Sequence, residues 1–303
     1  MARSPMFFST LVFLDLETTG LPSQHFKPEI TELCMIAANR FSMEQAKFPL
    51  RVLNKLNLCF FPTRTTQVVA ERVSGLNRTN LFHQKDFDTT AVRVIQLFLK
   101  RLDPPICLVA HNGLGFDFPL LRAHLSSVQT ETDQLLDCND SCVFCADSLK
   151  MFRALSSHLE PRQCLNDSGC DSMEDGGLTT SESQRDPVPV SHSTPKKCST
   201  KASKSFSLGD VYSRVFGDRH SNAHTAEGDC MAVMELVQFL GLSAFDWLQT
   251  NYTDFNTVAP SFRTSAKIFS GLTDFPYTKQ RDGPTSDKEL NKTTDALSKM
   301  NLD

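Results

Sequence analysis

Leu11 to Leu14 is an unbroken apolar run that opens directly into two carboxylates, Asp15 and Glu17, in the stretch LVFLDLETTGLP. An apolar run this short, closed by turn residues, predicts a buried strand. Strand side chains alternate faces, so Asp15 and Glu17 point the same way. Thr18, Thr19, Gly20, Leu21 and Pro22 then break the strand into a turn. Two acids side by side at the end of an apolar strand repel each other and suffer from desolvation. A divalent cation relieves both, because hard ions such as Mg²⁺ take carboxylate oxygens and keep positions open for water or phosphate. Taken alone, D-x-E fits a solvated strand end better than a metal site. Later stretches change that balance.

Ile30 to Phe41 is apolar and rich in strand formers, and Leu53 to Phe61 alternates before Pro62, so three successive strands are expected. Val68 to Leu76 predicts a short helix closed by Gly75. Phe87 to Leu102 predicts a longer one that stops before Pro104 and Pro105. Cys107 to Ala110 and Cys142 to Ala146 supply two more strands. Phe118 to Leu125, with Pro119 in its first turn, and Ser148 to Ser156 read as helices. Phe206 to Phe216, His224 to Leu240 (amphipathic) and Leu242 to Leu248 complete the helical set.

The domain plan follows from a change of character. Residues 1–156 are one ordered part, and 157–204 read as an acidic, Ser-rich disordered insertion with a basic end at Lys196, Lys197, Lys201 and Lys204. Order resumes over 205–251, and 252–303 reads as a polar flexible tail. A net charge of −4 and a pI near 6.1 exclude a generally basic nucleic-acid coat, though not a local groove. Ten cysteines without a secretory leader imply reduced thiols and a cytoplasmic or nuclear setting. No apolar run is long enough to span a membrane.

Two stretches give the carboxylate pair its meaning. In HNGLGFDFPLL, Asp117 begins a helix after a strand, where the ordinary role of an acid is an N-cap. In HTAEGD, His224 projects from the loop leading into the helix that carries Asp229, where a lone histidine is ordinarily a surface or capping group. Together these residues are three aspartates, a glutamate and a histidine, at strand ends and helix starts, where α/β sheets place their sites. Four carboxylates can hold two Mg²⁺ ions for a phosphodiester displacement, and a histidine can take the proton of the attacking water.

DLETTG, HNGLGFDFPLL and HTAEGD resemble, in order, the three motifs of the DEDDh 3′→5′ exonucleases. ITELC, VSGL and SLGDVYSRVFG resemble the three-prime repair exonuclease branch, and the likeness covers about Phe7 to Lys150 and Ser205 to Trp247. It implies an RNase H-like α/β fold with a five-stranded mixed sheet flanked by helices on both faces. It implies Asp15, Glu17, Asp117 and Asp229 as ligands of two Mg²⁺ ions, with Mn²⁺ as a substitute, and His224 as general base. Glu17, Thr18, Leu21, Val73, Phe116, His224 and Asp229 match positions that hold the terminal nucleotide. The implied substrate is DNA with a free 3′ end, single-stranded, and the implied assembly is a homodimer through the sheet edge at Leu53 to Phe61. The implied reaction releases 5′-mononucleotides, in DNA repair or clearance of surplus DNA.

Phe116 stands where mammalian relatives usually have tyrosine, and a proline run after the second strand and a hydrophobic anchoring tail are absent. The rival readings are a DEDDh exonuclease acting on RNA or as a polymerase proofreader, and a non-catalytic dimer that binds nucleic-acid ends. Cys138, Cys142 and Cys145 have a spacing that can ligate an iron–sulfur cluster, but Cys145 falls on an expected strand, which favours ordinary apolar or surface roles.

Overall fold

The structure is a computed structural model that describes residues 5–128, 134–160, 204–220 and 222–262, all within one compact unit, 1–266. Nearly all of the expected insertion and most of the expected tail lie outside the described residues.

The first apolar run becomes β1 (Thr10–Thr18). Its partners are β2 (Ile30–Asn39), β3 (Asn54–Cys59), β4 (Ile106–Ala110), β5 (Phe144–Asp147) and β6 (Thr253–Asp254), in the order β3-β2-β1-β4-β5-β6. β1 pairs antiparallel with β2 and parallel with β4, and β4 pairs parallel with β5, so the sheet is mixed as expected. The sixth strand was not expected. It is two residues long, antiparallel to β5, and too polar and short to show an alternating pattern.

Helices cover both faces. On one side α3 (Thr89–Leu99) and α4 (Asp117–Ser127) pack on Val12, Leu14 and Leu16 of β1. On the other, α5 (Ser148–Ala154), α6 (Leu208–Phe216), α7 (Ala226–Leu240) and α8 (Leu242–Leu248) enclose Leu11 and Phe13. The alternation of β1 thus feeds two cores, and each large side chain buried in them contributes about 1.5–3 kcal/mol. Two short helices complete the set: α1 (Arg40–Gln45), and α2 (Val68–Ser74), which Gly75 closes in the left-handed conformation.

Three expectations need correction. The second strand ends at Asn39, whose side chain caps α1 through the Phe41 amide, so Arg40 and Phe41 are helical. α7 starts at Ala226 and not at His224, and it buries nine of its fifteen residues against β1 and β2, more than one amphipathic face supplies. The ordered chain also continues past 251. Phe255 is fully buried against Phe118, and the Ser261 amide bonds to the Pro119 carbonyl. Tyr252, Phe255 and Phe262 are scattered among polar residues, too sparse to set a period, which is why the segment reads as tail.

No single helix among the described residues is long and apolar enough to cross a membrane. α7 and α8 together reach the length but are bent by 105° at Gly241.

Candidate active site

β1 and β4 are parallel, so their carboxyl ends lie side by side, and the chain leaving β4 returns as α4 beside the end of β1. Asp15 and Glu17 occupy the face of β1 shared with Phe13, beneath α7. One ligand oxygen each of Asp15, Glu17 and Asp229 lies within 4.8 Å of the others. Asp117 adds its charge from α4, where it is the first helical residue and 3% exposed. It is therefore not the N-cap: Phe116 holds that position and makes no side-chain capping bond.

The electrostatics are those of an uncompensated acid cluster. Burial raises the Asp15 carboxyl well above its ordinary range, and the charges of Asp117, Asp229 and Glu17 raise it further. Glu17 is pushed up to about 8 by burial, then by Asp229, Glu32 and Asp117. Asp117 is also pushed up to about 8 by burial, while backbone hydrogen bonds at its own amide and at Leu16 pull the other way. Asp229 is raised by burial and lowered by His220 and His224. The principal influences on the other three carboxyls include no cation. Such a set fits divalent metal: it offers hard oxygen donors in one place and gains from a positive charge that the protein does not supply. Among the described residues this is the only His, Cys, Asp and Glu grouping placed to hold an ion, so the three cysteines do not converge. Cys145 is buried within β5 and Cys138 is exposed.

The loop before α7 is shaped for this arrangement. Asn222 and His224 both adopt left-handed backbone, φ 58° and 65°. The Asn222 carbonyl accepts from the Thr225 amide and hydroxyl, while Thr225 Oγ1 caps the helix at the Gly228 amide, 3.1 Å away. The loop lies so close that a Cβ on Gly228 would stand 2.1 Å from the Asn222 oxygen. His224 is exposed, and its backbone N–H donates to Asp229 Oδ1 at 3.4 Å.

The remaining sequence candidates lie around the same strand end. Thr18 is buried and its hydroxyl donates to the Gly20 carbonyl at 2.9 Å. Gly20, at φ 152°, leaves room for Gln67, whose amide donates to the Thr19 carbonyl and brings in α2. Val73 on α2 and Leu21 are exposed apolar side chains, and Phe116 is half-buried against the α4-side core. Sequence reasoning missed two residues. His220 Nε2 stands 3.4 Å from Asp229 Oδ1, and no pattern marks it in its loop. Glu32 sits opposite Glu17 across β1 and β2, and its signal was a charge inside an otherwise apolar strand.

Fold and carboxylate cluster together define the class: a mixed-sheet, RNase H-like α/β protein of the DEDD exonuclease type. No family model matches the chain. The chain is 35% identical over 273 residues to three-prime repair exonuclease 1 of Bos taurus, spanning 86% of this chain and 73% of the relative. It is 34% identical over 231 residues to three prime repair exonuclease 2 of Mus musculus, spanning 73% and 78%. Among solved structures it is similar to E. coli exonuclease I in complex with a dA16 oligonucleotide, with a TM-score of 0.51 and 19% identity. That match covers 79% of this chain and 43% of exonuclease I, so the chain spans less than half of that protein. The chain belongs to the three-prime repair exonuclease family.

Proposed function

We propose that the chain is a metal-dependent 3′→5′ DNA exonuclease that removes 5′-mononucleotides one at a time from a free 3′ end. The observation that carries this is the convergence of Asp15, Glu17 and Asp229 within 4.8 Å, with Asp117 buried beside them. Those four carboxylates would hold two Mg²⁺ ions, or Mn²⁺ in their place. When bound, the ions supply charge stabilisation for the attacking and leaving oxygens of a phosphodiester displacement. His224, exposed at the rim, accepts the proton of the attacking water. Leu21 and Val73 offer apolar surface on which a terminal base can pack without regard to sequence, and half-buried Phe116 offers a ring without a phenolic hydroxyl. Thr18, held to Gly20, fixes the turn that presents Leu21.

An exonuclease acting in repair is supported by the names of the relatives, and a DNA strand as substrate by the dA16 oligonucleotide bound to the fold neighbour. A homodimer through β3 belongs to the same proposal, since β3 ends the sheet and, among the described residues, leaves one edge without a partner strand. So do a role in repair or clearance of surplus DNA, and a cytoplasmic or nuclear setting suggested by the thiol-rich composition.

The test is a 5′-labelled single-stranded DNA incubated with Mg²⁺, beside its 3′-blocked twin and a matched RNA. A ladder shortening from the 3′ end, abolished by EDTA or the block, is expected. Preference for RNA would reassign the substrate, and end binding without mononucleotide release would make the protein a scaffold.

A further inference from the structure

Glu32 is a fifth carboxylate at the site, and the hydrolytic scheme above does not use it. It pairs directly with Glu17 across β1 and β2, so the two side chains share the face beneath α7. It is 9% exposed, and both its oxygens are engaged. Oε1 accepts from Asn57 Nδ2 on β3 at 3.0 Å, and Oε2 accepts from the Ala226 backbone N–H at 3.1 Å. Ala226 is the first residue of α7, and Asp229 lies one turn further along the same helix.

A helix start leaves several N–H groups without intrahelical partners, and its dipole favours negative charge there. Thr225 satisfies the Gly228 amide from within the loop, and Glu32 ties the first amide of α7 to the sheet through a buried contact, while Cys230 Sγ, one residue past Asp229, donates to the Phe13 and Cys34 carbonyls. The other tie to β3, Lys55 to Glu227 at 2.6 Å, is roughly two-fifths exposed on each side and contributes little. Glu32 also adds repulsion to a cluster already crowded with acids, so its charge is adverse unless the seat it provides is needed. We infer that Glu32 is a positioning residue: it seats the first turn of α7 on β2, and so carries Asp229 to Asp15 and Glu17. The inference rests on reading that cluster as the metal site.

The substitutions separate seat from charge. Glu32→Gln keeps an oxygen for the Ala226 amide, and the Asn57 amide can flip to receive the new NH₂. Glu32→Ala removes both bonds. Glu32→Asp keeps the charge but withdraws it by one methylene, and it carries the test should the alanine variant not fold. On the full chain we would measure Mn²⁺ affinity by electron paramagnetic resonance, amide exchange at Ala226 to Gly228 without metal, and kcat and KM on a DNA 3′ end. For Glu32→Ala, Mn²⁺ affinity and kcat should fall about 10–100-fold with KM unchanged, the size usual for groups that orient metal ligands. Exchange protection should be lost in the first turn of α7 and kept in its interior. Glu32→Asp should show the same losses to a smaller degree, and Glu32→Gln should recover most of the wild-type affinity and rate. A glutamine variant as defective as alanine would overturn the inference in favour of charge. A wild type that binds Mn²⁺ beside an unaffected Glu32→Ala would overturn it alone, whereas a wild type that binds no Mn²⁺ would overturn the metal-site reading too.

Discussion

Nε2 of His220 stands 3.4 Å from Oδ1 of Asp229, the carboxylate that joins Asp15 and Glu17 in one cluster. His220 is buried and lies edge-on to Tyr212, whose hydroxyl is bonded to Glu235 of α7. His224, the other histidine at Asp229, is exposed. The two should therefore behave differently on removal. His224→Ala should lower kcat by about 10²–10⁴-fold, as for loss of a general base, and leave Mn²⁺ affinity intact. His220→Ala should weaken Mn²⁺ binding and lower the melting temperature, because it removes a buried contact of Asp229. Kinetics and Mn²⁺ titration on both variants decide. A full rate loss on His220→Ala with none on His224→Ala would show that the proton acceptor is the other histidine.

Glu17 and Asp117 are pushed up to about 8, against an unfolded value of about 4 for ordinary carboxyls. Between those values the folded state holds more protons than the unfolded one, so raising the pH removes stability. The metal-free protein should melt higher at pH 6 than at pH 8.5. Mg²⁺, which binds the ionised cluster, should raise the melting temperature more at pH 8.5 than at pH 6. Thermal melts in EDTA and in Mg²⁺ at both pH values check this, and an EDTA melt that rises with pH would contradict it.

Neutralising one member of the cluster should separate stability from activity. Asp15→Asn removes a buried charge that three other carboxylates repel. At pH 8.5 without metal its melting temperature should exceed that of wild type. Mononucleotide release should fall by at least about 10³-fold, roughly 4 kcal/mol of transition-state stabilisation. An active Asp15→Asn would remove that residue from the metal set.

Gly228→Ala places a methyl group against a backbone oxygen 2.1 Å away, where no flexible side chain can yield. The loop carrying His224 must shift or the helix start must open, and overpacking of this kind costs about 1–3 kcal/mol. Chemical denaturation should register that loss. The accompanying fall in kcat should exceed that of an alanine substitution at exposed Asp246 on α8, measured in the same assay.

Phe255 is fully buried, edge-on to Phe118. Phe255→Ala should cost about 3–5 kcal/mol in urea unfolding, the usual figure for emptying a core aromatic site. A loss under about 1 kcal/mol would return residues after 251 to the status of a tail, since exposed side chains cost little.

The amino-acid sequence by itself determined the elements whose signal is local. β1 was legible because an apolar run ends in turn residues, α2 because Gly75 closes it, and α4 because Asp117 and Pro119 suit a first turn. The three motifs likewise named Asp15, Glu17, Asp117, His224 and Asp229 before any coordinates, since each stretch carries its chemistry in adjacent residues. α1 was missed because its cap, Asn39, follows a strand without a break, and β6 because two polar residues have no period. Tertiary structure alone decided which distant groups meet. Nothing in ITELC says that Glu32 accepts the Ala226 amide 194 residues later, and nothing near His220 says that it faces Asp229. The physical reason is range. Propensity and alternation act over a few residues, whereas the distances within a charge cluster depend on how parallel strands align their ends and how a central helix is seated upon them.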